Sequence, residues 1–216
     1  MQLGKKILFV LVAASLLSSS ANAAQFLPDA SLIDQSGKAF SFTSLRGSFV
    51  LLSFIYTRCR DAQECPLISA KFAQLQNRLP KNAHLVEITV DPAYDRPAVL
   101  SAYAKSYGFR ADRVTLLTGE PDRVLAFASR LGVKAYTDPK YGFIHTEKTL
   151  LVDPRGEIVE TFPENSWTVD EIVSVVAHRG KGVVAWDAVD AAGIVAVIAA
   201  GIWIALRVTR VVAMRR

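Results

Sequence analysis

The chain has 216 residues, 51% of them hydrophobic, and carries 25 Lys+Arg against 20 Asp+Glu. The basic excess belongs to the ends, because Lys5 and Lys6 precede the first apolar stretch and Arg207, Arg210, Arg215 and Arg216 follow the last, leaving a nearly neutral body. No basic cluster remains to meet phosphates, which excludes a nucleic-acid-binding protein.

In chain order, residues 1–23 read as an export signal. Two lysines, an apolar stretch over 7–17 too short to span a bilayer, and Ala21-Asn22-Ala23 as a small-residue cleavage site place the mature chain outside the cytoplasm. Residues 24–178 are enough for one domain. It opens with a hairpin, 30–34 and 39–43, turning at Gln35-Ser36-Gly37-Lys38. The run FVLLSFI that follows is apolar throughout and predicts a strand over 49–57 buried on both faces. Beyond Pro66, the spacing of Ile68, Phe72, Leu75 and Leu79 predicts a helix over 66–79 with one apolar face.

A strand over 84–90 follows, then a helix capped by Asp95 with Leu100, Tyr103 and Tyr107 on one face. A strand at 114–117 and a helix from Pro121 to about Gly132 come next. A loop leads to a strand beginning at His145, which Asp153-Pro154-Arg155-Gly156 folds back into a hairpin with 157–162. Thr168 and Glu171 form a capping box for the last helix. Strands alternating with helices predict an α/β sheet with a parallel core finished by an antiparallel hairpin.

After a linker at 179–188, residues 191–206 (AAGIVAVIAAGIWIAL) carry no charge and, extended to 189, predict one transmembrane helix. The arginines of 207–216 then lie on the cytoplasmic side. A buried core helix is the alternative for this segment.

The chemistry rests on the only two cysteines, Cys59 and Cys65, in the loop between the first long strand and the helix after it. The helix dipole and unpaired amides there predict a lowered thiol pKa at Cys65. A plain structural disulfide is the other reading of the pair. Two thiolates suit Cu(I) or zinc, yet a closed zinc site wants four protein ligands. Of the three histidines, His145 stands where a neighbouring loop tip could bring it to the cysteines, either as a third ligand or as a polar strand-end residue. His84 reads as a solvated side chain and His178 as a cation near a helix C-terminus. The same two sulfurs can oxidise to a disulfide, so metal and disulfide are expected to exclude one another.

Three pieces together make the chain resemble the Sco (SenC) family of thioredoxin-fold copper chaperones for cytochrome oxidase assembly. They are Phe54-Ile55-Tyr56-Thr57-Arg58-Cys59 leading to Cys65-Pro66, then Ile88-Thr89-Val90-Asp91-Pro92 with Asp95 and Pro97, and His145-Thr146 with Leu151-Val152-Asp153-Pro154-Arg155-Gly156. The resemblance covers about 26–178. It implies a thioredoxin-like sheet, copper as the metal, and Cys59, Cys65 and His145 as its ligands. It also implies a copper-accepting partner such as an oxidase subunit, a periplasmic thiol reductant, and a domain on the periplasmic side of a bacterial inner membrane. The family usually has three residues between its cysteines with a proline after the first; here five intervene and Arg60 takes that place.

A thiol:disulfide oxidoreductase acting on a partner's cysteines is the alternative, although Thr146 follows His145 and the nearest upstream proline is Pro139, which removes the usual thioredoxin groove. A peroxide reductase built on Thr57 and Arg58, and a redox-sensing domain, are the remaining readings.

Overall fold

The computed structural model describes residues 25–138 and 142–180. The expected signal, membrane helix and basic tail lie outside them, and among the described residues no helix is long and apolar enough to cross a membrane. The strands are β1 (Leu32–Asp34), β2 (Ala39–Phe40), β3 (Phe49–Ile55), β4 (Ala83–Thr89), β5 (Val114–Thr118), β6 (Ala135–Asp138), β7 (Gly142–His145), β8 (Lys148–Val152) and β9 (Ile158–Pro163). The helices are α1 (Cys65–Arg78), α2 (Pro97–Ser106), α3 (Pro121–Arg130) and α4, described over 169–180.

Seven strands form one sheet in the order β2-β1-β5-β4-β3-β8-β9, and β6 and β7 form a separate two-stranded ribbon. β3, β4 and β5 run parallel, whereas β8 returns antiparallel beside β3 and pairs with β9. All seven residues of β3 are buried, as its unbroken apolar run requires of a central strand. Its alternate side chains feed two cores. Phe49, Leu51 and Ile55 meet Ile68 and Phe72 of α1, Leu100 of α2, and Ile172 and Val176 of α4. Val50, Leu52 and Phe54 meet Val124 and Phe127 of α3 together with Leu32 and Phe42. The result is three layers, helices on both faces of a mixed sheet.

Local chemistry explains most element boundaries. Pro97 and Pro121 open α2 and α3 at the first turn, where a missing N–H costs nothing. Thr168 accepts from the Glu171 amide while Glu171 accepts from the Thr168 amide, the expected capping box.

Four expectations change. Asp95 does not cap α2; Arg96 holds that position, and Asp95 is fully buried, accepting from the Thr57 amide and hydroxyl and from the Thr89 hydroxyl. A carboxylate surrounded by three donors is better satisfied there than at a helix end already occupied by Pro97. His84 is not solvated but half-buried against the Thr115 hydroxyl at 3.0 Å, because register places β5 beside β4. The segment read as a loop before His145 is the β6–β7 ribbon, so His145 ends a strand rather than starting one. Thr43 belongs to a turn of 3₁₀ helix, Phe42–Leu45, not to the first hairpin.

Candidate metal centre

The site lies at the C-terminal end of β3, where the chain leaves the buried strand, crosses the cysteine loop and enters α1. The first half of the loop is fixed from the segment after β4. Thr57 is held by Asp95, and the Arg58 guanidinium grips Asp91 through Nε at 3.0 Å while lying 4.3 Å over the Tyr94 ring. Thr57 and Arg58 therefore tie the loop to the segment after β4. Further on, Asp61 accepts from the Gln63 amide at 2.9 Å, and Asn165, beyond β9, donates from Nδ2 to the Gln63 carbonyl at 2.9 Å.

Both cysteines are free thiols, Cys59 partly exposed and Cys65 fully buried as the first residue of α1. Their protonation is the reverse of the dipole expectation. The neighbouring Cys59 sulfur, followed by burial, pushes the Cys65 pKa far up. Interaction with Cys65, with help from the Asp61 backbone and Tyr56, holds Cys59 down at about 6. Position at a helix start favours a thiolate, yet complete burial makes Cys65 the worse place for the charge. One thiolate and one thiol share the site, with the charge on the sulfur nearer solvent.

His145 reaches the same place from the end of β7. Its Nε2 lies 3.4 Å from Cys65 Sγ, and its Nδ1 is 3.1 Å from the Thr146 carbonyl. A carbonyl can only accept, so Nδ1 carries the proton and the Nε2 lone pair faces the sulfur. Burial lowers the His145 pKa, which keeps the ring neutral. Tyr56 meets the imidazole edge-on at 5.6 Å and packs on Phe143 at 4.9 Å. The two aromatic contacts fix the ring plane.

A cleft of about 930 Å³ opens beside these groups, lined by Tyr56, Cys59 and His145 and by the acidic residues Asp61, Glu64, Glu147 and Glu164. Burial, followed by the neighbouring Glu64 side chain, raises the Glu147 pKa to about 8. Among the described residues no three His, Cys, Asp or Glu side chains converge on a common point. Cys65 and His145 touch, and Cys59 lines the cleft beside them. Two soft sulfurs and a neutral imidazole at one end of the sheet are donor types chemically suited to Cu(I).

Tyr56, Phe143, Glu147 and Asn165 complete the site without having been singled out in the sequence. Neither Ala135–Asp138 nor Gly142–His145 alternates apolar and polar residues, so no local signal located the ribbon or, with it, Phe143.

Fold and site together define a thioredoxin-like α/β domain with a dithiol and a histidine at the head of its first long helix. The model of the SCO1/SenC family matches residues 18–179, and the chain belongs to that family. The SCO1 protein homolog of Bacillus subtilis is 30% identical over 151 residues, covering 66% of this chain and 77% of its own length. The copper-bound structure of Bradyrhizobium japonicum ScoI is similar with a TM-score of 0.60 at 27% identity, covering 71% of this chain and 99% of that one. A structure of BsSco, described as having a disulfide switch and as a member of the Sco family of cytochrome c oxidase assembly proteins, superposes with a TM-score of 0.62 at 26% identity, covering 72% of this chain and 94% of that one.

Proposed function

We propose that this protein is a membrane-tethered copper metallochaperone that carries one Cu(I) on Cys59, Cys65 and His145 outside the cytoplasmic membrane and delivers it to an oxidase subunit or a related copper protein. The observation that carries this reading is the 3.4 Å approach of His145 Nε2 to Cys65 Sγ, across 80 residues of chain. Cys59 already holds the negative charge a ligand needs, His145 already presents a lone pair, and Cys65 releases its proton when the metal enters. Three-coordinate capture at the edge of an open cleft suits cargo that must leave again, since a fourth donor from a partner can approach through the cleft. Copper supplies only its own ligand-exchange chemistry.

A second reading is supported by the asymmetric thiols. A partly exposed Cys59 with a pKa of about 6 beside a buried, protonated Cys65 is also the arrangement of an attacking and a resolving cysteine in a thiol:disulfide oxidoreductase.

Anaerobic Cu(I) titration of the reduced full-length chain against a competing chelator separates the two. One tightly held Cu(I) is expected, lost in Cys59→Ser and Cys65→Ser and weakened at least about tenfold in His145→Ala. Undiminished binding in either cysteine variant sinks the carrier reading. Unchanged affinity in His145→Ala removes the histidine from the site.

A further inference from the structure

Five residues separate Cys59 from Cys65, and a flexible loop of that length disperses two sulfurs unless something holds its far side. Its near side is fixed by Asp91 and Asp95. The far side is met by one side chain from a distant part of the chain, Asn165, whose Nδ2 donates to the Gln63 carbonyl at 2.9 Å across 102 residues of sequence. Only the NH₂ end of an amide can face a carbonyl, so the orientation of Asn165 is set by its partner. Gln63 lies two residues before Cys65.

The turn that presents Asn165 is built to stay in place. Trp167 buries its ring against Phe72 and donates from Nε1 to the Thr149 hydroxyl at 3.1 Å, which in turn donates to Ser53 in the central strand. Lys71 of α1 donates to the carbonyls of Asn165 and Trp167, both at 2.6 Å, and lies 4.5 Å over the Trp167 ring. Glu164 adopts φ 54, the one non-glycine residue with positive φ among those described. Left-handed backbone at a glutamate is strained and persists where surroundings over-determine it. Here it aims the next residue at the cysteine loop. Tethering α1 and the loop to one turn ties both ends of Gln63–Cys65 to the same rigid post.

We propose that Asn165 is a positioning residue for the dithiol: its amide clamps the extended cysteine loop and so limits how far Cys59 and Cys65 can separate. The proposal rests on the reading of the dithiol as the working site and adds the element that compensates for the longer loop. Because the clamped geometry limits the separation of the two thiols, it favours both closure to a disulfide and capture of one ion by two sulfurs.

The full-length protein and its Asn165→Leu, Asn165→Ala and Asn165→Gln variants are equilibrated in glutathione buffers. The Cys59 and Cys65 thiols give two electrons and two protons to oxidised glutathione, which becomes two molecules of reduced glutathione as the S–S bond forms. The expected result is an oxidation constant lowered about fivefold in Asn165→Leu and Asn165→Ala, the effect of one lost hydrogen bond, with partial recovery in Asn165→Gln. Cu(I) affinity falls in the same order. An oxidation constant equal to wild type in both folded variants overturns the clamp, as does a lowered melting temperature with no change in that constant. Failure of the wild type to bind Cu(I) defeats the carrier reading instead, and leaves the glutathione result to decide the clamp.

Discussion

Glu87 sits in the middle of β4, fully buried, with Oε1 accepting from Ser69 at 2.9 Å while Ser69 meets the Tyr103 hydroxyl at 2.8 Å. Among the described residues no group hydrogen-bonds to its Oε2. Burial pushes the carboxyl from an ordinary 4.5 up to about 8. Between those values the folded chain binds a proton that the unfolded chain has released. The stability is therefore fully present below about pH 4.5 and is lost as pH rises through about 8. Urea unfolding from pH 5 to 9 is expected to lose a few kcal/mol in the wild type, whereas Glu87→Gln, which keeps the Ser69 hydrogen bond, flattens that decline. Equal slopes in the two proteins remove Glu87 as its source. At this scale sequence identified Cys59, Cys65 and His145 as neighbours-to-be, but not which sulfur carries the charge. Spacing and dipole are local properties visible in a sequence. Burial of Cys65 is set by Ile68, Phe72 and the sheet beneath, and it outweighed them. Asp95 was misassigned for a related reason, since its true donors, Thr57 and Thr89, come from two other segments.

The helix that begins with Cys65 is secured at its other end by an arginine. Arg113 is buried and donates to the carbonyls of Gln76, Leu79, Pro80 and Lys81, satisfying acceptors at a C-terminus that lacks a glycine cap. Gln76 adds a second tie, accepting from the Arg110 amide and donating to the Gly108 carbonyl. Arg113→Met fills the same space but leaves the carbonyls without partners, and is expected to cost about 3 kcal/mol in urea unfolding. Arg113→Lys recovers only part of this, because an ammonium cannot span four acceptors. A loss below about 1 kcal/mol in Arg113→Met shows that water replaces the guanidinium without penalty. Long elements were legible because their patterns are internal: the unbroken β3 run and the 4-3-4 spacing of α1. The β6–β7 ribbon was not, since four-residue strands among Tyr, Asp, Pro, Lys and Gly carry too little alternation to separate from loop.

For the whole molecule, the order of elements sufficed for a parallel core with an antiparallel finish, because βαβ connections leave few alternatives. The neutral charge of the body likewise separated the domain from its basic ends. The proposed topology, a cleaved signal before the domain and one membrane helix after it, has a direct check. Protease added to spheroplasts is expected to digest the domain and spare a C-terminal tag. A tag accessible from outside reverses the orientation.

The 80 residues between Cys65 and His145 also set the time at which the site comes into being. In an unfolded chain the two cysteines are local neighbours, while bringing the histidine to them means closing a loop whose entropy alone opposes it by about 4 kcal/mol. That cost is met only when β8 docks beside β3 and carries the preceding ribbon into place. The pairing of β8 with β3 is thus also a condition for bringing the histidine to Cys65. An unfolded chain would offer a metal ion the two sulfurs without the imidazole, whose approach to Cys65 appears only with the finished fold.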